Sequence, residues 1–254
     1  VSARAKLILG YEFIRRERGK TKRVASIPGD QQREILPRAL RRSEHGGYAL
    51  VLRTDETVDI LNTSQRSYHG CLKVPGQVLQ AVAASEDAGF VVAASFGQLF
   101  AFTLDDCQFR GSRPLSQGDV RWLALARGVV ASCDEHGELT VLEVRGKSPR
   151  SWTPRGHLES HAGRGLRRLD QGCLSPDGAL LARGNKKTVE VYQTATGTLS
   201  QILYGHTDTV QFVRFAADGN QLVTADDDNR VIIWPRSAEK ILTLEDARAA
   251  SRDS

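Results

Sequence analysis

The sequence predicts an all-β protein built from about five similar antiparallel sheets, each made of four short strands. An apolar residue recurs in equivalent β-prone segments at intervals of roughly forty residues, which is the signature of a repeated sheet unit. Gly and Asp-Gly turn signals separate the β-prone segments, as expected for hairpins. The chain has 254 residues, 40% of them apolar, which is enough to bury a sizeable core.

The clearest repeat unit lies between Gly205 and Trp234 and contains three predicted strands. The first is expected at residues 210–215 and ends at an Asp-Gly turn, Asp218-Gly219, which is a strong hairpin signal between β-prone runs. Residues 222–225 form the second predicted strand, and residues 230–234 form the third after an acidic turn. The unit therefore predicts a three-stranded meander that a fourth strand would complete.

This unit resembles the WD-repeat family. It carries a Gly-His pair at Gly205-His206, the Asp-Gly turn, and Trp234 at 28 residues from His206. Pro235 departs from the family pattern, which has Asp after the Trp. The resemblance implies a β-propeller, in which each four-stranded sheet is one blade. It also implies a hydrogen-bonded tetrad inside the blade, at the matching positions His206, Thr224, Asp228 and Trp234.

Such a tetrad is physically reasonable, because a buried carboxylate needs hydrogen-bond donors and an imidazole, a hydroxyl and an indole can supply them in sequence. We expect the Trp234 indole to donate to the Thr224 hydroxyl. We also expect all four groups to be packed between strands, as a structural network rather than an active site.

The pattern recurs upstream with lower fidelity. Equivalent third-strand residues are expected at Leu61, Phe102, Leu142, Tyr192 and Trp234, with spacings of 41, 40, 50 and 42. At the tetrad offsets of the Leu142 unit the sequence has Ser132 and His136, so a His replaces the Asp. At the Asp offset, the Tyr192 unit has Lys186 and the Phe102 unit has Phe96. Only the last unit is expected to keep the whole tetrad.

The spacing divides the chain into a partial blade, five blades and a tail. The predicted bounds are 1–28 for the partial blade, 29–73, 74–115, 116–162, 163–203 and 204–244 for the blades, and 245–254 for a flexible tail. The chain lacks methionine and begins inside a predicted blade. These two features favour a truncated ring whose parent has six or seven blades.

Several short motifs imitate catalytic or metal sites, and each is better explained by structure. Gly19-Lys20-Thr21 lacks the earlier Gly that a phosphate-binding loop needs, so a strand-to-strand turn is favoured. Cys133 lies three residues before His136, but a thiol at a strand end and an imidazole in a turn do not form an activated pair. We therefore predict no catalytic residues.

Metal and cofactor sites are not predicted either. His157, Glu159 and His161 lie among Pro and Gly residues that disfavour the helix such a metal site would use. Asp226-Asp227-Asp228 lacks the spaced ligands of a calcium loop. The four cysteines form no CxxC pair, which favours reduced thiols and a cytoplasmic protein.

The remaining candidates are surface residues at loops, where binding side chains concentrate on a rigid scaffold. In a propeller, the links between blades and the turns between second and third strands share one face. The candidate partner-binding residues at these places are Asp208, Thr209, Asp226, Asp227, Arg230, Arg53, Glu56, Asp134 and Glu135.

The predicted function is therefore a non-catalytic scaffold that binds a protein or peptide partner through its loop face. One alternative is a regulatory propeller of a larger enzyme with its catalytic domain upstream. Another is a module that binds nucleic acid or another polyanion, because residues 1–28 carry eight Lys/Arg against two Glu and residues 145–168 carry seven against one. No apolar run approaches the ~20 residues of a membrane helix, and a small-molecule ligand is not expected.

Overall fold

The computed structural model describes residues 12–17, 20–26, 37–43, 45–53, 56–155 and 172–236. These residues form strands, turns and one 3-10 turn at Pro149–Ser151, which confirms the predicted all-β class. The first two strands, β1 (Glu12–Glu17) and β2 (Lys20–Ser26), pair as an antiparallel hairpin. Glu17 pairs with Lys20, so Lys20 and Thr21 begin the second strand of this hairpin, while Gly19 lies outside the described residues.

Five further antiparallel sheets follow in chain order. Sheet I contains β3 (Pro37–Arg42), β4 (Tyr48–Arg53), β5 (Thr57–Asn62) and β6 (Ser67–Lys73). Sheet II contains β7 (Ala81–Ser85), β8 (Phe90–Ser95), β9 (Gln98–Thr103) and β10 (Phe109–Pro114). Sheet III contains β11 (Val120–Ala126), β12 (Val129–Asp134), β13 (Leu139–Glu143) and β14 (Thr153–Pro154).

Sheet IV contains β15 (Gly172–Leu174), β16 (Leu180–Asn185), β17 (Thr188–Gln193) and β18 (Leu199–Tyr204). Sheet V contains β19 (Val210–Phe215), β20 (Gln221–Asp226) and β21 (Val231–Pro235). Four sheets are thus four-stranded, and sheet V has three strands within the described residues. Residues 237–244, the predicted end of the last blade, lie outside the described residues, and so does the predicted 245–254 tail.

The predicted third-strand anchors occupy one equivalent place. Each is the second-to-last residue of its third strand and pairs with a second-strand residue. The pairs are Ala49–Leu61, Val91–Phe102, Val130–Leu142, Leu181–Tyr192 and Leu222–Trp234. The forty-residue spacing was therefore a correct guide to register as well as to strand order.

The larger hydrophobic clusters lie between successive sheets, and a smaller one, with Val51 and Leu61, lies within sheet I. Leu50 and Ile60 of sheet I pack in one cluster with Val82 of sheet II. Clusters of the same kind join sheets II and III, III and IV, and IV and V. Because each inner sheet is covered on both faces, its central strands are nearly continuous apolar runs, such as β8, which is buried throughout. This face-to-face stacking is the propeller arrangement that the resemblance implied.

The up-and-down path of the strands separates two kinds of loop. The links between successive sheets and the turns from second to third strands lie on one side, here called the connection face. The turns from first to second and from third to fourth strands lie on the other side, here called the opposite face. Within the described ranges, the structure contains no helix with the length and apolar character that a membrane crossing requires.

Candidate functional site

Four side chains form a continuous hydrogen-bonded network at the connection-face end of sheet V. The Trp234 indole Nε1 donates to Thr224 Oγ1 at 2.8 Å, as predicted. Thr224 Oγ1 lies 2.7 Å from His206 Nε2, and His206 Nδ1 lies 2.9 Å from Asp226 Oδ2. A single proton order satisfies every contact: Trp234 donates to Thr224, Thr224 donates to His206, and His206 donates to Asp226.

The carboxylate of this network is Asp226, so the assignment of Asp228 was wrong. β20 ends at Asp226, and Thr224 and Asp226 point to the same face because side chains alternate along a strand. Asp228 lies two residues beyond the strand, in the exposed turn, where its Oδ2 accepts a hydrogen bond from the Thr207 hydroxyl at 2.9 Å. The alternation ends with the strand, and Asp228 is therefore outside the buried set.

Asp226 is held as a carboxylate by its neighbours. Burial acts to raise the pKa of Asp226, but hydrogen bonds from His206 and from the Arg230 and Thr207 backbone N–H groups outweigh it and bring the pKa to about 2. Oδ1 accepts the Arg230 N–H at 2.9 Å, while Oδ2 accepts from His206. The two oxygens therefore tie the turn after β20 to the link that precedes β19.

The network contains the hydroxyl, imidazole and carboxylate of a catalytic triad, but a substrate cannot reach them. Thr224 is fully buried, and His206, Asp226 and Trp234 are 7%, 5% and 6% exposed. A nucleophile has to face a space that a substrate can enter. In this geometry the Thr224 hydroxyl is enclosed by its two partners and by the strands, so it cannot attack a substrate.

Sheet III carries a reduced version of the same network. Asp134 ends β12 and pairs with Val120, just as Asp226 ends β20 and pairs with Val210. Its Oδ1 accepts the Glu138 N–H at 2.9 Å and the His136 N–H at 2.9 Å. The carboxylate position of this sheet is thus Asp134, and the placement of His136 there was wrong for the same reason as Asp228.

Sheet IV fills the equivalent position with a buried ion pair that the sequence analysis missed. Arg183 takes the place of Thr224, and Tyr192 takes that of Trp234. The Arg183 guanidinium donates to Glu190 Oε2 through Nε at 2.8 Å, and its Nη2 lies 2.7 Å from the same oxygen. The Tyr192 hydroxyl donates to Glu190 Oε2 at 2.7 Å, and Asn185 donates to Oε1 at 2.7 Å.

The Arg183 cluster also joins two sheets. Arg183 Nη1 donates to the Gly137 carbonyl of sheet III at 3.0 Å. Burial acts to raise the pKa of Glu190, but hydrogen bonding to Tyr192 and the nearby Arg183 charge lower it overall. The sequence signal was present: Arg183 and Glu190 are opposite charges that interrupt two apolar runs, in strands that the spacing predicts to pair.

The predicted partner-binding residues divide into exposed and engaged groups. Asp227 is exposed on the connection face, and Asp208, Thr209, Arg230, Glu56 and Glu135 are partly exposed there. Asp134 and Asp226 are 1% and 5% exposed, so their assignment to a contact surface was wrong. Arg53 donates to the buried Asp59 at 2.8 Å, and Glu135 accepts from Arg121 at 3.1 Å.

The thiol beside His136 is not activated. Cys133 is buried, and burial raises the pKa of its thiol to about 12. A thiol with this pKa is almost entirely protonated near neutral pH and is a poor nucleophile. All four cysteines are free, with Cys173 also buried, Cys107 partly exposed and Cys71 exposed.

Two predicted features lie mainly outside the described residues. His157, Glu159 and His161 are in the undescribed range 156–171, as is much of the basic segment 145–168. Of the described part of that segment, Arg145 and Arg155 both pair with Glu143, at 3.0 Å and 3.2 Å. Among the described residues, no three His, Cys, Asp or Glu side chains are placed to share a metal ion.

Comparison with known proteins agrees with the repeat unit. Residues 197–235 match the family model described as WD domain, G-beta repeat. Intraflagellar transport protein 122 homolog of Danio rerio is 46% identical over 72 residues, which are 28% of this chain and 6% of that protein. WD repeat-containing protein 18 of Danio rerio is 29% identical over 76 residues, which are 30% of this chain and 17% of that protein. The chain thus spans a small part of the relatives it matches.

Solved structures agree with the fold. The computationally designed Ika8 protein is similar with a TM-score of 0.65 and 19% identity, over 88% of this chain and 64% of that one. The Cps50 (Swd1) β-propeller domain of Myceliophteria thermophila is similar with a TM-score of 0.63 and 13% identity, over 82% of this chain and 69% of that domain. At these identities the likeness concerns the fold alone.

Proposed function

We propose that this chain, a WD-repeat β-propeller, is a non-catalytic module that binds a protein partner through its connection face. The observation that carries the proposal is the contrast between the two sets of polar groups. The polar groups around Thr224, which resemble a catalytic triad, are enclosed, whereas the turns of the connection face present exposed charged and apolar side chains. Loops held by a rigid scaffold are where binding residues concentrate.

The geometry of the scaffold supports this role. Asp226 ties the turn after β20 to the link before β19, and Asp134 holds the turn after β12 through two backbone N–H groups. These anchors fix the loop backbone while they leave side chains such as Asp227 and His136 exposed. A surface fixed before binding loses less entropy when a partner docks.

The comparisons support the same class of function. A match to a protein named for intraflagellar transport makes transport-related proteins the first partners to test. The proposal places the chain in the cytoplasm, in keeping with four free thiols. The polyanion alternative gains no support from Arg145 and Arg155, since Glu143 already neutralises part of their charge.

The test is affinity purification of the chain from cells, with quantitative mass spectrometry and two charge-reversed variants. Asp227→Lys changes the connection face, and Asp105→Lys makes the same change at an exposed residue of the opposite face. We expect proteins that co-purify with the wild-type chain to be depleted with Asp227→Lys and kept with Asp105→Lys. Equal recovery with both variants, or no enrichment over an unrelated propeller, contradicts the proposal.

A further inference from the structure

The turn between β8 and β9 exposes a phenylalanine from a strained backbone. Ser95 pairs with Gln98, so Phe96 and Gly97 are the two residues of a tight hairpin turn. Their φ angles are +43° and +72°, which makes both left-handed, as in a type I′ turn. Asn, Asp and Gly are favoured at the first position, whereas a bulky residue is strained there. In the equivalent turns of sheets III and V, the left-handed residues are Gly137 and Asn229.

Burial does not compensate for this strain. The Phe96 side chain is 62% exposed, the highest value together with Val231 among the large apolar residues described as exposed. The fold therefore keeps a large apolar side chain in water, at a backbone position that suits Asn or Gly better. Strained residues of this kind are concentrated at functional sites, where the surrounding structure holds them.

The turn that carries Phe96 is firmly fixed to the connection face. The Gly97 carbonyl accepts the backbone N–H of Leu115 at 2.7 Å and that of Ser116 at 3.2 Å. The Phe96 N–H donates to Gln80 Oε1 at 3.2 Å, and backbone atoms of Ser116 leave no room for a side chain at position 97. Phe96 is thus presented on a backbone that has little freedom to lose on binding.

Phe96 stands at one end of a continuous arc across three sheets. The Gly97 turn packs on the link residues Ser116–Gly118, and Gly118 lies so close to the exposed His136 that a side chain at position 118 would meet its ring. The next residue, Gly137, accepts the bond from Arg183 of sheet IV. The turn of that sheet ends the arc with two exposed cations, Lys186 and Lys187.

The charge of the arc is positive at the end away from Phe96. Lys186 is also left-handed, with a φ of +52°, and no acidic group of the described residues forms an ion pair with Lys186 or Lys187. Of the two glutamates in the turn of sheet III, Glu135 pairs with Arg121 at 3.1 Å, whereas Glu138 is exposed. A ligand that follows the arc therefore meets the Phe96 ring, then the His136 imidazole with the Glu138 carboxylate beside it, and then the ammonium groups of Lys186 and Lys187.

We propose that this arc, Phe96, His136, Lys186 and Lys187, binds an extended acidic segment of a partner protein. An apolar side chain of the segment packs on Phe96, and its carboxylates lie against the two lysines. The inference rests on the proposed function and adds a partner class and one contact region of the connection face, separate from the Asp227 turn that the purification test changes. An extended segment fits because the arc takes one turn from each of three successive sheets, and exposed aromatic residues commonly act as binding anchors.

The probe is a phage-displayed library of random dodecapeptides, selected on the full chain and followed by binding measurements with the enriched peptides. We expect the enriched peptides to combine an apolar residue with Asp or Glu. Phe96→Asn should weaken their binding about tenfold or more, and Lys187→Glu should do the same. Binding should also weaken as the salt concentration rises, because exposed charges are screened.

The melting temperature separates a binding role from a structural one. Phe96→Asn places a favoured residue in the turn, so the midpoint should rise by roughly 2–4 °C while peptide binding is lost. Arg127→Asn is the matched control. Arg127 and Gly128 form a turn of the same kind, with φ values of +40° and +75°, on the opposite face. Arg127→Asn should leave peptide binding unchanged.

Three outcomes overturn the inference. The first is a lower melting temperature for Phe96→Asn, which would make Phe96 a structural residue. The second is the absence of any enriched peptide that binds the wild-type chain. The third is enriched peptides that bind Phe96→Asn and Lys187→Glu as well as the wild type. In the third case the proposed interaction function stands, and only its placement on this arc fails.

Discussion

Asp134 and Asp226 occupy the same position in sheets III and V, yet only Asp226 has both carboxylate oxygens engaged by hydrogen bonds. Each accepts, through Oδ1, the backbone N–H four residues later at 2.9 Å. Oδ2 of Asp226 accepts from His206, whereas the buried Oδ2 of Asp134 has no hydrogen-bond partner among the described residues. One carboxylate oxygen is thus sufficient to accept the backbone N–H of the turn, and the second oxygen of Asp226 accepts from the His206 imidazole.

The difference between Asp134 and Asp226 predicts that an Asp→Asn substitution destabilises the protein more at position 226 than at position 134. Asp226→Asn replaces one of two acceptor oxygens with an amide donor, which then faces either His206 or the Arg230 N–H. We expect a loss of about 1–3 kcal/mol in the free energy of unfolding, the usual result of leaving a buried donor unsatisfied. Asp134→Asn can keep the oxygen that accepts the two backbone N–H groups, and should cost less. Urea denaturation of both variants measures the difference.

Asp228→Ala is the control for this comparison. Asp228 is exposed, and its contact with the Thr207 hydroxyl lies in solvent. The variant should unfold within about 0.5 kcal/mol of the wild type, as surface substitutions usually do. If Asp228→Ala is as destabilising as Asp226→Asn, the assignment of Asp226 to the network is incorrect.

Thr224 is predicted to act through its hydroxyl. Thr224→Val keeps the shape of the side chain but leaves the Trp234 N–H without an acceptor and His206 without a donor. The expected loss is about 1–3 kcal/mol, whereas Thr224→Ser, which keeps the hydroxyl, should be milder. The NMR signal of the Trp234 indole N–H should shift with Val and stay near its position with Ser. An unchanged signal in Thr224→Val would show that the hydroxyl does not accept from the indole.

Arg183 and Glu190 should be strongly coupled. Removing one partner leaves the other as an unpaired buried charge, so Arg183→Leu and Glu190→Leu should each cost about 3–5 kcal/mol. The double variant should cost much less than the sum, because neither charge remains. A double-mutant cycle by chemical denaturation measures this coupling. The exposed pair Arg145 and Glu143 is the control, with an expected coupling of about 0–1 kcal/mol.

The low pKa of Asp226 predicts a loss of stability in acid. Its pKa is about 2 in the folded protein against an ordinary value of 3.8. A group whose pKa is lowered by folding stabilises the protein above its unfolded value, and this contribution disappears as pH falls through the folded value. The stability difference between the wild type and Asp226→Asn should therefore shrink between about pH 4 and pH 2. A difference that stays constant over this range would show that Asp226 is not held ionised by folding.

The strand order and register could be predicted because they depend on spacing within the chain. Leu61, Phe102, Leu142, Tyr192 and Trp234 recur at the period of the unit, and each occupies the same register position. His206, Thr224 and Trp234 were also correctly brought together from the family pattern. The choice of Asp228 over Asp226 failed because three consecutive Asp residues look alike in sequence, and only the last residue of β20 keeps the strand alternation.

The sequence by itself determined the repeat, the class of fold and most members of the buried network, because apolar periodicity and turn residues act over a few neighbouring positions. The tertiary structure decided which polar groups are enclosed and which remain available. Arg183 of sheet IV donates hydrogen bonds to Glu190 and to Gly137 of sheet III. Phe96 of sheet II is exposed in a turn that packs on Ser116, in the segment that connects sheets II and III. Such placements depend on contacts between sheets, which spacing along a single chain does not specify.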